Sequence, residues 1–395
     1  MGGATIAVAH GAESGLNNVA LMTSVEDTMI SFGGTFFNAN VENTDGINLG
    51  WYGNESSSAT SKADLSVIPE VSIANKVSEN FYVGVGMWGT AGMGVDYRNS
   101  PRTAMDSGNM HMVSNLQLMQ FGTSIAYKTG GLGLAVTPIL QYGALDINYN
   151  GFDGSNIGDG VAQDLNFGFN LGAYYDFTAN GIDGLTIGAV YKSKIDMEYD
   201  NQLSNATQPF VDFGIFPAAM DDNLEQPAEF GFGIGYKISN HTFAFDYKQI
   251  QWSDAKGYQD FGWDDQDVYA FGYQYEQDNW IVRLGYNYAS SPIIEAPSGP
   301  SVIPAGNYAH AGGNAMNMFN LLGFPATAED HYTIGGSYAF TDSFALDLAY
   351  VYAPETTTTM NTIVGINPMN GDMYTGPSTV EHSESSISMQ LSYKF

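Results

Sequence analysis

Residues 226–254, QPAEFGFGIGYKISNHTFAFDYKQIQWSD, alternate with a period of two. In an extended chain successive side chains point to opposite faces, so Phe230, Phe232, Ile234 and Tyr236 share one face and Gly231, Gly233 and Gly235 the other. After the turn ISN, Phe243, Phe245 and Tyr247 lie on one side, and Ala244, Asp246 and Lys248 on the other. A sheet that gathers aromatics on one side and glycine and charge on the other suits a closed barrel in lipid. Its outer face must be apolar, while its lumen takes small or polar residues. Closure also pairs every backbone N–H and C=O, which the hydrocarbon demands.

The same alternation recurs along the whole chain and helical periodicity is scarce. It predicts strands near 28–40, 64–75, 80–93, 113–128, 131–149, 161–178 and 182–199, and again near 225–238, 240–252, 265–277, 278–290, 329–340, 342–354 and 380–395. Short turns (NKVSEN, KTGG, TANG, ISN, EQD, TDS) alternate with long connections at 41–63, 94–112, 150–160, 200–224, 253–264, 291–328 and 355–379. An all-β transmembrane antiparallel barrel of about 14 strands, with short periplasmic turns and long extracellular loops, is expected. A soluble sandwich or propeller would use strands of about five or six residues. The end SMQLSYKF places Met389, Leu391, Tyr393 and the terminal Phe395 on one face, like the aromatic-terminated last strand of bacterial outer-membrane barrels.

Charge supports this placement. Only 14% of the 395 residues are charged, with 42 acidic against 12 basic for a net charge of −30. Nucleic acid and anionic membrane surfaces, which both need basic patches, are poor partners for such a chain. The chain has no cysteine, so disulfides and thiolate chemistry are absent. No apolar run reaches the roughly 18 residues of a membrane helix. The start MGGATIAVAHG lacks the charged and apolar regions of a secretory leader, as expected of a mature chain.

Residues 1–27, Gly/Ala-rich and irregular with a short helix, precede the first strand and are expected to fold into the lumen as a plug, with the barrel spanning 28–395. Several stretches then resemble the FadL family of outer-membrane transporters for long-chain fatty acids and other hydrophobic compounds. MGGATIAVAHGAESGLNNVA is similar to that family's hatch, with Gly2, Gly3 and Ala4 opening it and Asn18, Val19 and Ala20 standing where the family has Asn-Pro-Ala. VIPEVSIANKVSENFYVGVGMWGTAGMG, the stretch at 226–254, QDVYAFGYQYEQDNWIVRLGYNYASSPI and AEDHYTIGGSYAFTDSFALDLAYVY resemble its successive strand pairs, in order. The resemblance implies capture of a hydrophobic ligand by the extracellular loops, passage to the lumen, and lateral release where the third strand is kinked. Gly89, Gly92 and Gly94 on that strand are the candidates for the wall opening.

Strand parity sends Lys192, Lys194, Lys248 and Arg283 into the lumen with Glu70, Asp246, Asp347, His331 and Asp196, as a pairing network, a contact for a ligand carboxylate, or both. Two apolar loop stretches, QPFVDFGIFPAAM and NAMNMFNLLGF, offer Phe210, Phe213, Phe216, Met316, Met318, Phe319, Leu321 and Leu322 either as a ligand-binding patch or as loop-on-loop packing. The acidic tips DGSNIGDG and WDDQD are expected to be solvated loops beside lipopolysaccharide. Six scattered histidines form no Ser/His/acid or tight metal-binding motif. The expectation is a monomeric, cofactor-free outer-membrane importer of hydrophobic molecules rather than an enzyme. A lipid hydrolase and a general diffusion porin are the alternatives.

Overall fold

The computed structural model describes residues 1–46, 56–100 and 108–395. The middles of the first two long connections, 47–55 and 101–107, lie outside the described residues. Fourteen antiparallel strands close into a barrel. In chain order they are β1 Thr28–Gly46, β2 Leu65–Lys76, β3 Phe81–Asp96, β4 Val113–Thr129, β5 Leu132–Asn150, β6 Ala162–Asp176 and β7 Leu185–Lys192, followed by β8 Glu229–Ile238, β9 His241–Ile250, β10 Gln266–Gln277, β11 Trp280–Ala289, β12 Asp330–Ala339, β13 Phe344–Ile366 and β14 Met373–Lys394. Closure is made by β1 against β14, in a register from Met29 opposite Lys394 to Asp45 opposite Ser378.

The alternation of the sequence becomes two faces. Phe232, Ile234 and Tyr236 stand exposed on the outer surface, whereas Gly231, Gly233 and Gly235 are buried inside. Met389, Leu391, Tyr393 and Phe395 likewise face outward on the closing strand. The outer band therefore presents apolar and aromatic side chains to the hydrocarbon. Tight turns join the strands at one end. Ser239 and Asp278 adopt positive φ in two such hairpins, as the turn twist requires.

At the other end the connections pack into a dome. It contains the helices α2 Leu203–Asp212 and α3 Gly312–Met318, the latter running into a wider turn at Phe319–Gly323. The segment 355–379 is strand over most of its length rather than loop, because β13 and β14 continue as a long hairpin. The run ETTTTMNTIV is rich in β-branched residues that favour a pleated surface. A bulge between Ala353 and Thr356 absorbs Pro354, which has no N–H for the ladder. Conversely, β7 stops at Lys192, short of the expected end near 199, and only isolated bridges at Ile195–Gln226 and Glu198–Asn223 continue it.

Candidate functional site

The first 25 residues lie against the inner faces of the strands. They hold the short helix α1, Ser14–Asn17, and a 3-10 turn, Val19–Ser24. Wall glycines make the room. A Cβ on Gly188 would collide with the Ile6 carbonyl oxygen, and one on Gly285 with the Gly2 backbone. Ala4 is buried against Ala244 and Ala270. The Gly2 N–H donates to Thr333 Oγ1 at 3.0 Å, and its carbonyl accepts from Asn287 Nδ2 at 3.2 Å. Gly3 adopts a φ of +83°, a region that glycine enters without strain.

Two polar groups pin this segment. Asp246 on β9 accepts the N–H groups of Thr5 and Ile6 at 2.6 and 2.8 Å on one carboxylate oxygen. Asn18 donates to the carbonyls of Ile6 (2.7 Å) and Ala173 on β6 (3.0 Å), and its side-chain oxygen caps the 3-10 turn by accepting from the Ala20 N–H at 3.1 Å. Val19 is the first residue of that turn, where a proline loses no intrahelical bond, and Asn18 before it is extended, as pre-proline geometry favours. Val19→Pro is therefore expected to leave the lumen segment in place and to raise its stability by about 0.4–1 kcal/mol. Hydrogen exchange of residues 1–25 measures this, and accelerated exchange in the variant would contradict it.

Besides Asp246 and the His331–Glu384–His382 cluster, the described lumen charges form three groups. Lys192 and Lys248 converge on Glu229, at 3.3 and 4.0 Å; sequence reasoning missed this acid although it opens β8. Arg283 pairs with Asp347 at 3.0 Å and donates to Gln274 and Ser337. The lumen-segment His10 and this arginine line one open space inside the barrel. Glu70 faces Glu13 of the lumen segment, and Glu13 accepts from Ser31 Oγ at 3.0 Å.

Lys194 and Asp196 belong to none of these groups, which corrects the parity assignment. After β7 ends the alternation slips by one residue, so Ile195, Met197 and Tyr199 are buried and the residues between them are exposed. Lys194 instead reaches Glu225 at 3.0 Å, and Lys256 joins Glu225 (3.4 Å) to Asp196 (3.5 Å) at the base of the dome.

The apolar loop residues are not an open patch. Phe210, Met318, Phe319, Leu321 and Leu322 are buried, and Phe216 and Met316 are half-buried. Phe210 packs on Phe319 with ring centroids 5.2 Å apart, and on Tyr149, Phe152 and Phe216. Phe213 alone of the eight is exposed, against Phe152 and Tyr308. The two loops cover each other, so substituting Phe319 and Leu322 with serine would unpack the dome. Phe210→Ala should cost about 3–5 kcal/mol of local stability. Limited proteolysis should then cut 200–224 and 308–324 faster while the barrel melts unchanged; unaltered cleavage would contradict the packing argument.

Beneath the dome lies a cavity of about 290 Å³, at the small end of the range for ligand pockets. Phe37, Val41, Met93, Leu116, Trp252 and Trp263 supply its apolar lining. Its polar end combines His331, His382, Glu384 and Asp64. Of these, sequence reasoning had singled out only His331. The available signal was the spacing His382-x-Glu384, which puts both side chains on one face of a strand.

The cavity reaches a break in the wall. The ladder between β2 and β3 ends at Glu70 opposite Trp88, although β3 continues to Asp96. The next residue of β2 is Pro69, which has no N–H to donate, and β3 bulges between Gly89 and Ala91. Contact resumes at Asp96, whose N–H donates to Ser61 Oγ at 3.0 Å and whose carbonyl accepts the Lys62 N–H at 2.9 Å. Between these points Asp64 and Ser66 on one edge and Gly92, Met93 and Gly94 on the other line the cavity. Only Gly92 of the three candidate glycines has open space at its Cβ position, the nearest neighbour being the Leu116 carbonyl oxygen at 4.0 Å. A Cβ on Gly89 would strike the Ile68 side chain, and one on Gly94 the Ser114 carbonyl oxygen.

A closed 14-stranded barrel with an apolar outer band, an occupied lumen and a cavity under a loop dome is the architecture of an outer-membrane barrel protein. The sequence profile of the family described as "Outer membrane protein transport protein (OMPP1/FadL/TodX)" matches residues 1–311, and the chain belongs to that family of transporters, not enzymes. It is 24% identical over 337 residues to a protein of Escherichia coli called "Long-chain fatty acid transport protein", covering 73% of each chain. Among solved structures, a Pseudomonas aeruginosa FadL homologue superposes with a TM-score of 0.71 at 15% identity, covering 100% of this chain and 96% of the other. The Pseudomonas putida toluene transporter TodX superposes at 0.68 with 16% identity and the same coverage.

Proposed function

We propose that this protein carries hydrophobic molecules inward across the outer membrane, releasing them sideways through the break between β2 and β3. The observation that carries the reading is the coincidence of two features. The ladder opens between Glu70–Trp88 and Ser61–Asp96, and the cavity is lined by residues from both edges of that opening. The lumen segment, held by Asp246 and Asn18, stands in the axial route. A ligand passing the dome therefore meets the cavity first and the wall opening second. The names of relatives agree with a hydrophobic cargo, since one is called a fatty acid transporter and another a toluene transporter.

Whole-cell uptake tests the reading. Cells that lack their own transporters of this kind should take up toluene or a fatty acid faster when they make this protein, with no gain for a small sugar. Faster sugar uptake, or no gain for either hydrophobe, would overturn it.

A further inference from the structure

Two indoles wall the cavity, and they are held differently. Trp252 donates from Nε1 to Gln266, itself a lining residue, at 3.4 Å. Trp263 donates to Asn320 Oδ1 at 2.9 Å, and Asn320 stands outside the lining, in the wider turn that follows α3. Asn320 is fully buried between Phe319 and Leu321, which are buried as well. Its Nδ2 donates to the Phe261 carbonyl oxygen at 2.9 Å. One amide therefore satisfies two groups of the segment that carries the cavity's aromatic side. There the rings of Trp252 and Trp263 lie 5.1 Å apart, with Tyr258 at 4.5 and 4.8 Å from them.

Asn314, Asn317 and Asn320 recur at intervals of three, which keeps residues near one face of a regular helix. Asn314 and Asn317 do share a partner, both donating to the Asn361 carbonyl oxygen on β13 at 3.1 Å. At Asn320 the helix has widened, with the Phe324 N–H reaching back five residues to the Phe319 carbonyl at 3.2 Å. The third amide turns instead to Trp263 and Phe261. Widened turns of this kind are frequent at functional sites. Directly after this one, Pro325 and Ala326 line the cavity.

Taking the cavity as the ligand site, as in the transport reading above, we propose that Asn320 is a positioning residue that links the dome to the cavity. It fixes Trp263 in the wall while the turn at 319–323 is seated. If the turn moved alone, the indole N–H and the Phe261 carbonyl would be left buried without a partner, which is costly. The turn and the aromatic wall therefore move together. A ligand packed on Trp263 tightens the turn, and a displaced turn weakens the ligand by the same factor, since coupling between two sites is reciprocal. The turn also carries Phe319, whose ring packs on Phe210 of α2 at 5.2 Å, so the coupling extends to the outer loops.

Toluene and dodecanoate are each titrated into the full chain in lipid nanodiscs, read by tryptophan fluorescence, and whichever binds the wild type is carried forward. Limited proteolysis of 308–324 is run with and without it. Asn320→Leu is compared with Asn317→Leu. Asn317 is equally buried, donates to the Ala296 and Asn361 carbonyls and accepts the Ala296 N–H, and neither of those residues lines the cavity. Both substitutions should speed cleavage of the dome. The ligand should slow that cleavage in the wild type and in Asn317→Leu, but not in Asn320→Leu. Affinity should fall about threefold to tenfold in Asn320→Leu, the span of one hydrogen bond lost, and far less in Asn317→Leu. Trp263→Phe keeps a ring in the wall without the N–H, and it should lose ligand protection even if Asn320→Leu fails to fold. Equal affinity in the two asparagine variants, or protection that survives in Asn320→Leu or Trp263→Phe, would overturn the linkage and leave the transport reading standing. Binding of neither probe to the wild type would overturn the cavity as the ligand site, and the linkage with it.

Discussion

Replacing Gly92 with tryptophan is expected to lower uptake of a hydrophobic ligand by more than about tenfold, a barrier increase of at least about 1.4 kcal/mol. The position is chosen on space. Its Cβ site is open, so a side chain can start there without striking the wall, and Gly92 lines the cavity at the break between β3 and β2, where an indole is expected to obstruct passage. At Gly89 or Gly94 the same side chain would displace Ile68 or the β4 backbone, and a loss of uptake would report distortion instead. Gly92 lines the edge of the cavity, away from Trp252 and Trp263, so ligand binding in Gly92→Trp, read by fluorescence, should fall far less than uptake. Normal uptake would reject lateral release.

Asp246→Ala should release the lumen segment. The carboxylate holds two backbone N–H groups of residues 5 and 6, and charge-assisted bonds of this kind are worth about 1.5–3 kcal/mol each. Part of that loss is offset, because the other carboxylate oxygen is buried without a partner among the described residues and its removal is favourable. The two lost bonds outweigh the one orphan. Planar-bilayer recordings should show little steady current from the wild type and frequent openings from the variant. Asp246→Asn, which keeps an acceptor oxygen, should fall between them. A silent Asp246→Ala variant would mean that Asn18 and the wall contacts hold the segment unaided.

The wall was legible because a period of two is dictated by lipid on one side and a filled lumen on the other, and this holds strand after strand. Where that constraint stops, the reading stops. Beyond Lys192 the chain leaves the ladder and changes phase, so counting parity to Lys194 gave the wrong face. The β13–β14 hairpin extends past the barrel, where no membrane enforces alternation, and only the β-branched composition of 355–364 hinted at it. Phe210 and Phe319 were recognisable as exceptional in loops, but an apolar stretch has the same composition whether it faces a ligand or another loop, and here each covers the other. The cavity was least legible. Phe37, Trp252, His331 and Glu384 come from four distant segments, and only barrel closure brings them together. The break in the ladder was partly visible as the glycines of β3, but the place of Pro69 opposite them depends on the register of two strands.

The most direct measurement uses the absence of cysteine from the chain. Gly92→Cys introduces a single thiol at the wall opening, which a bulky methanethiosulfonate reagent caps and a reductant uncaps. Hydrophobe uptake is then followed in the same cells before capping, after capping and after reduction, alongside binding to the purified protein. Lateral release through the β2–β3 break predicts that uptake collapses on capping and recovers on reduction while binding changes far less. Uptake that continues unchanged through the full cycle, with complete labelling verified by mass, would contradict it.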